Sequence, residues 1–119
     1  MTGQLTTHVL DTARGRPAAN VAVELWRVEP DGSGRTLLRS ARTNADGRTD
    51  APLLAGDELR TGCYELVFGI GDYFGADGAA SGPRFLDRVP VRFGVADPGA
   101  HYHVPLLVSR FAYSTYRGS

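Results

Sequence analysis

The chain has 119 residues, with 13 basic and 13 acidic side chains, so its formal net charge is zero. A chain of this length is typical of one domain, and we expect a single domain over residues 1–119. The neutral balance argues against a general nucleic-acid binder, which would carry a basic excess. No apolar run approaches the roughly 18 residues that a membrane helix needs.

The beginning of the sequence has no basic segment followed by an apolar stretch, the pattern typical of a secretory signal. The one cysteine, Cys63, has no partner for an internal disulfide, which is typical of a reducing compartment. We therefore expect a cytoplasmic protein. Cys63 begins a strand-like run, and we interpret it as a buried structural residue rather than as a nucleophile.

Seven short runs alternate apolar and polar residues with a period of two, as half-buried β-strands do. In chain order they cover residues 5–10, 21–26, 37–43, 63–70, 88–95, 101–108 and 111–116. Turn-forming residues at 30–34 and 44–48 flank the third run. Seven short strands separated by turns predict an all-β sandwich or barrel.

The best helix candidate covers residues 72–77, where Asp72 can cap a turn or two after Gly71. Glycines at positions 75, 78 and 82 limit its length. We expect a loop over residues 76–83.

Three histidines are the first candidates for chemistry. His8 lies in the first run, while His101 and His103 lie two residues apart in the sixth and therefore share one strand face. The opposite face carries Tyr102 and Val104 and is the expected core face. The plainer interpretation is that these histidines are polar residues on the surface of a sheet, and the sequence leaves that alternative open.

The three histidines are also a possible zinc set, because three imidazoles and one water form a catalytic zinc site. No carboxylate stands out in the sequence as the partner that orients a zinc-bound histidine. A zinc hydrolase is therefore a weaker alternative.

Two further features deserve a chemical interpretation. Arg48 follows a tight turn, where an arginine is usually a solvated charge but can also offer its planar donors to a carboxylate or a urea-like oxygen. Phe111, Tyr113 and Tyr116 lie close to the end of the chain, where residues are usually loose and polar. They predict a packed final strand that holds Ser119 in place.

Four segments of the chain resemble the transthyretin-like 5-hydroxyisourate hydrolases. They are LTTHVLDT at 5–12 with GRPA at 15–18, TNADGR at 43–48, HYHVPLL at 101–107 and YSTYRGS at 113–119. The terminal YRGS distinguishes these hydrolases from the transthyretin hormone carriers, which share the fold. The resemblance covers essentially the whole chain. It departs at residues 109–112, where SRFA replaces the family's usual proline and glycine, and this affects the last turn.

The resemblance implies a β-sandwich of two four-stranded sheets with one short helix. It implies a homotetramer, a dimer of dimers, with active sites at the dimer–dimer interface. It implies that the protein binds neither nucleic acid nor a membrane. The implied reaction hydrolyses 5-hydroxyisourate to 2-oxo-4-hydroxy-4-carboxy-5-ureidoimidazoline in urate (purine) catabolism, with no metal or organic cofactor. The implied catalytic residues are His8, Arg48, His103 and Ser119, and the implied substrate-binding residues are His8, Arg48, Tyr116, Arg117 and Gly118.

A mechanism consistent with these residues assigns the general base to His103, with His8 orienting the water or moving its proton. The alternative assignment of the two histidines stays open. Arg48 supplies positive charge to ring oxygens and to the developing oxyanion. Tyr116 and the backbone near Ser119 line and close the pocket, while His101 supports the site. The competing hypothesis is a transthyretin-like module that binds a small aromatic ligand without catalysis.

Overall fold

The computed structural model describes residues 3–75 and 82–118. Strands dominate, with one short α-helix and one short 3-10 helix (Gly56–Glu58) among the described residues. The elements in chain order are β1 (Gln4–Asp11), β2 (Arg16–Pro17), β3 (Ala22–Val28), β4 (Arg35–Arg42), β5 (Leu54–Ala55), β6 (Gly62–Gly69), α1 (Ile70–Gly75), β7 (Arg88–Val95), β8 (His101–Val108) and β9 (Tyr113–Thr115). All seven strand-like runs form strands, so the all-β prediction is confirmed.

The strands form two sheets. The first has the order β2-β1-β8-β9, and the second has the order β4-β3-β6-β7. The first sheet contains one strand more than the resemblance implied, because the two-residue β5 also pairs with β1. The β1–β8 pair at the centre of the first sheet is parallel, and it places Thr6 opposite His103 and His8 opposite Pro105.

The core lies between the two sheets and follows from the period-two alternation. Leu5 and Val9 of β1 and Leu106 of β8 are fully buried, and so are Leu66 and Phe68 of β6 from the second sheet. Each such side chain contributes roughly 1.5–3 kcal/mol through its burial. The outer face of the first sheet is left to the alternate positions of β1 and β8, which carry the three histidines.

The helix α1 begins two residues earlier than expected and ends at Gly75, while residues 76 and 77 of the expected helix lie outside the described residues. The backbone amides of Ile70 and Gly71 donate to the Asp87 carbonyl at 2.8 and 2.9 Å, and Ile70 and Phe74 are buried one helical turn apart. Burial therefore sets the start of the helix. Of the loop expected over residues 76–83, only the last two residues are described.

Two smaller observations complete the fold. Within the described part of the chain, no helix is both long enough and apolar enough to span a bilayer. Cys63 in β6 is a free thiol and is half-buried rather than buried, because it lies opposite Gly94 of the edge strand β7, which has no side chain to cover it.

Candidate active site

The parallel pairing of β1 and β8 brings the three histidines together on the outer face of the first sheet. The ring centroids of His8 and His103 lie 6.5 Å apart with the planes tilted by 41°. Those of His101 and His103 lie 6.3 Å apart. His8 and His103 are half-buried, whereas His101 is exposed. The sheet thus places His8 and His103 close to each other although they are far apart in sequence.

Arg48 reaches the same site because a tight turn precedes it. The Asn44 side chain accepts hydrogen bonds from the amides of Asp46 (2.9 Å) and Arg48 (3.2 Å). Gly47 has a positive φ of 76°, and a Cβ there would lie 2.4 Å from the Val9 carbonyl oxygen. The turn therefore requires glycine at this position. The Val9 amide donates to the Gly47 carbonyl at 2.8 Å, which fixes the turn against β1.

The same turn orients the ring of His8. His8 Nε2 donates a hydrogen bond of 2.8 Å to the Asp46 carbonyl oxygen. A carbonyl oxygen only accepts, so the neutral ring carries its proton on Nε2 and leaves Nδ1 as the acceptor. His8 and Arg48 also form an isolated antiparallel bridge at the edge of β1. One turn consequently positions both the imidazole and the guanidinium.

An open cleft of about 400 Å³ lies at this site, and Thr6, Arg48, Asp50, His101 and His103 are among the residues that line it. His8 does not line this cleft, but its ring lies beside that of His103. The Arg48 guanidinium is exposed and makes no hydrogen bond or ion pair with any residue in 3–75 or 82–118. Its planar donors are therefore available to a ligand. A cleft of this volume with a few convergent polar groups suits a small polar molecule.

The electrostatics of the cleft favour neutral histidines. Burial, followed by the nearby Arg48 charge and the other two histidines, lowers the pKa of His103 below 6.5. Burial and Arg48 likewise lower the pKa of His8 below 6.5, although its bond to Asp46 opposes the shift. Both rings are therefore unprotonated near neutral pH, the form in which an imidazole can accept a proton.

Gly118 contacts His103 directly. Its amide donates to the His103 carbonyl oxygen at 2.7 Å. A Cβ at position 118 would lie 2.6 Å from His103 Cδ2 and 3.2 Å from Cγ, closer than real side chains approach. The absence of a side chain at Gly118 therefore leaves the space that the His103 ring fills.

Within the protomer, Tyr116 and Arg117 lie away from the histidine cleft. The Arg117 guanidinium lies 4.1 Å from the centroid of the Tyr102 ring and donates to the His101 carbonyl at 3.3 Å. Together with Val91 on β7, both tail residues line a second groove of about 400 Å³ instead of the histidine cleft. Ser119 lies outside the described residues.

The final strand forms, but it is not packed as the sequence predicted. β9 pairs with β8, yet Tyr113 is 44% exposed, Tyr116 59% and Phe111 73%. The aromatic residues near the chain end thus present an apolar surface to the outside of the protomer.

The histidines are held by hydrogen bonds that differ from a zinc ligand set. His8 Nε2 binds the Asp46 carbonyl, while His101 Nε2 and His103 Nδ1 both contact the Thr6 hydroxyl. In the part of the chain that the structure describes, no three His, Cys, Asp or Glu side chains are grouped so that they could hold a metal ion. The geometry gives the three-histidine zinc hypothesis no support.

Sequence reasoning missed two contributors to the site. Thr6 lies two residues before His8, so the alternation of β1 already placed its hydroxyl on the same face. The alternation of β1 could therefore have identified Thr6 as a site residue. The Asp46 carbonyl could not be found in this way, since a backbone group carries no signature in the sequence.

A family model and known proteins match nearly the whole chain. The model of the HIUase/Transthyretin family matches residues 5–118. A 5-hydroxyisourate hydrolase of Mesorhizobium japonicum is 60% identical over 118 residues, which cover 98% of this chain and 93% of that protein.

Solved structures are similar over nearly the whole chain. A 5-hydroxyisourate hydrolase of Klebsiella pneumoniae superposes with a TM-score of 0.80 at 34% identity, covering 98% of this chain and 99% of that one. An (S)-allantoin synthase gives 0.90 at 47% identity; the match covers 99% of this chain but only 44% of the synthase. Transthyretin from Sparus aurata gives 0.84 at 28% identity, with 97% and 96% covered. The chain therefore belongs to the HIUase/Transthyretin family.

Proposed function

We propose that the chain hydrolyses 5-hydroxyisourate to 2-oxo-4-hydroxy-4-carboxy-5-ureidoimidazoline, a step of urate (purine) catabolism. Relatives that carry the name of this hydrolase support the proposal over nearly the full length of the chain. The observation that carries it is that the unprotonated His103 and the available Arg48 guanidinium line one cleft, with the unprotonated His8 ring 6.5 Å from His103.

The reaction needs a water molecule that loses a proton while its oxygen attacks a ring carbonyl. We assign the acceptance of that proton to His103, whose lowered pKa keeps it neutral near pH 7. The 6.5 Å between the His8 and His103 ring centroids is too long for a direct hydrogen bond between the rings and suits one bridging water. His8 Nδ1, the ring's accepting atom, orients this water.

The carbonyl oxygen becomes negatively charged as the water attacks. Arg48 can place two parallel N–H donors on this oxygen and on neighbouring ring oxygens, which stabilises the charge as it develops. The proton held by His103 then passes to the ring nitrogen that leaves. Gly118 keeps His103 in place. Tyr116 and Arg117 line a different groove of the same protomer, so in this proposal they and Ser119 close the pocket of a neighbouring subunit.

The proposal is tested by identifying the product. 5-Hydroxyisourate can be formed in place from ¹³C-labelled urate by a urate oxidase, and the mixture can be followed by ¹³C NMR with and without the protein. We expect the signals of the ureidoimidazoline product to rise faster with the protein. Unchanged decay of the substrate would reject the proposal.

The alternative is a binding module that carries a small aromatic ligand, as the shared fold with transthyretin suggests. A carrier does not need two neighbouring proton-accepting imidazoles and a free guanidinium in one site, which is why we favour the hydrolase. Saturable binding of 5-hydroxyisourate without any acceleration of its decay would favour the carrier.

We propose that the protein assembles as a homotetramer, a dimer of dimers, whose active sites lie at the dimer–dimer interface. The cleft is open on an outer sheet face, and exposed aromatic residues lie on the last strand and next to its two ends. A neighbouring subunit would bury these residues and close the cleft.

The cytoplasmic location expected from the sequence is part of the same proposal, and fractionation of expressing cells would check it.

Light scattering on the purified protein checks the assembly. We expect a particle of four times the 12.8 kDa of one chain. A monomer that is fully active at the concentration of the assay would contradict an interface site.

The pH dependence follows from the lowered pKa values. The neutral form of His103 is the active one, and its pKa lies below 6.5, so activity should persist at pH 6.5 and fall as the pH decreases further. Profiles of kcat/KM between about pH 5 and about pH 8 check this. An acid limb centred above pH 6.5 would contradict the assignment.

Removal of metal separates acid–base catalysis by histidine from zinc chemistry. Extensive chelation should leave turnover unchanged if the imidazoles act as bases. Loss of activity on chelation, followed by its recovery on addition of Zn²⁺, would favour the zinc alternative.

A further inference from the structure

One hydroxyl lies between the two histidines of β8. Thr6 Oγ1 is 3.0 Å from His101 Nε2 and 2.8 Å from His103 Nδ1. A threonine hydroxyl has a single proton, so it can donate to only one of the two rings at a time. When it donates to one ring and accepts from the other, the protonation states of the two imidazoles depend on each other.

The other ring nitrogen of His103, Nε2, has no hydrogen-bond partner within residues 3–75 and 82–118, and the ring lines the cleft. If Thr6 donates to His101 and accepts from His103 Nδ1–H, Nε2 keeps its lone pair and can act as a base. In the opposite arrangement Nε2 carries a proton and can only donate. The direction of the two Thr6 hydrogen bonds therefore determines whether His103 is a base.

We propose that Thr6 is a positioning residue that holds His103 in its base form and conducts a proton between His103 and His101. This inference rests on the proposed hydrolysis and deepens it, because it names how the proton taken from water is held during the reaction. Thr6 acts through His103 and is not required to touch the substrate.

The proton transfers balance. His103 Nε2 takes a proton from water as the water oxygen bonds to the ring carbonyl, which makes His103 an imidazolium. Its Nδ1 proton passes to Thr6 Oγ1 while the Thr6 proton passes to His101 Nε2, so the charge moves to His101. The reverse transfer returns a proton to Nδ1 as Nε2–H is donated to the leaving nitrogen, and the starting form is restored.

The surroundings give this transfer a direction. His103 is half-buried and faces the positive Arg48 from the turn and His8 from β1. Both neighbours disfavour a positive charge on the His103 ring. His101 is exposed on the solvent side of the pair. Asp50 also lines the cleft, and Arg117 reaches the His101 backbone carbonyl. Water can solvate an imidazolium at His101 far better than at His103.

Two variants at position 6 separate the hydroxyl from the shape of the side chain. Thr6→Val keeps the branched shape and removes the hydroxyl, whereas Thr6→Ser keeps the hydroxyl. We expect Thr6→Val to lower kcat by roughly 10- to 100-fold with KM changed less than about twofold. Thr6→Ser should recover kcat to within a few-fold of the original protein. A Thr6→Val protein with unchanged kcat would overturn the proposal.

A double-variant cycle tests the link to His101. His101→Phe removes the far end of the chain of hydrogen bonds, so adding Thr6→Val to it should lower kcat little further. Independent, multiplying losses would mean that Thr6 has only a structural role, and that result would overturn the proton transfer.

¹⁵N NMR of the histidine rings gives a reading that does not depend on hydrolysis. In the original protein the titrations of His101 and His103 should be coupled, with His103 protonated at Nδ1 in its neutral form. In Thr6→Val the two rings should titrate independently. If the protein proves not to hydrolyse 5-hydroxyisourate, coupled titrations would still support the hydrogen-bonded link, and uncoupled titrations in the original protein would overturn it.

Discussion

Replacing His103 with asparagine should lower the turnover of 5-hydroxyisourate by roughly 10²- to 10⁴-fold, the usual contribution of a general base. Asparagine is smaller and polar and suits a half-buried position on the outer sheet face, but its amide cannot accept a proton at neutral pH. Initial rates and the thermal midpoint of both proteins check the prediction. The midpoint should change by only a few degrees, because the core faces the other side of β8.

The competing assignment gives a different result. If the asparagine protein retains turnover within a few-fold of the original, His103 is not the base. His8, whose Nδ1 is free to accept a proton, would then take that role.

The second large effect is expected from Gly118→Ala. The added methyl group would lie 2.6 Å from His103 Cδ2, so either the imidazole or the tail must move. Displacing a reacting group by about 1 Å can cost on the order of 10²-fold in rate, and we expect a loss of that order. The substitution lies outside the core, so the thermal midpoint should change little.

Gly34→Ala is the matched control. Gly34 lies in the turn between β3 and β4, has no positive φ, and a Cβ there would meet no atom within 4 Å. This variant should keep full turnover. Unchanged turnover in Gly118→Ala as well would mean that the tail does not hold the His103 ring.

The period-two alternation was sufficient to predict most of the fold. The runs at 5–10 and 101–108 became β1 and β8, and their inward and outward faces are those expected. The two-residue strands β2 and β5 could not be found, because two residues are too few to show alternation. The start of α1 lies earlier than predicted because Ile70 continues the alternation of the strand-like run at 63–70, although it is the first residue of the helix and is buried there.

The site was predictable where its residues lie on regular strands. The i, i+2 spacing of His101 and His103 placed both on one face, and the parallel pairing of β1 with β8 adds His8 to that face. The sequence alone could not reveal this pairing. It also could not reveal that Asp46 fixes the His8 ring, because the contact is made by a backbone carbonyl.

The positions of the side chains in the C-terminal YRGS segment could not be predicted from the sequence. The terminal YRGS distinguishes the hydrolases by resemblance, but the position of each side chain depends on how the chain leaves β9. Gly118 reaches His103, whereas Arg117 turns toward the ring of Tyr102. Alternation alone does not predict this, because residues 116 and 117 lie beyond the end of the strand.

The initial rate of 5-hydroxyisourate loss tests the central claim most directly. The substrate is generated from urate by a urate oxidase, and its absorbance is followed with no added protein, with the original chain and with His103→Asn. We predict that the original chain accelerates the decay in proportion to its concentration, while the variant gives a rate close to the spontaneous one. A decay that the original chain does not accelerate would contradict the claim that this cleft is the active site of a hydrolase.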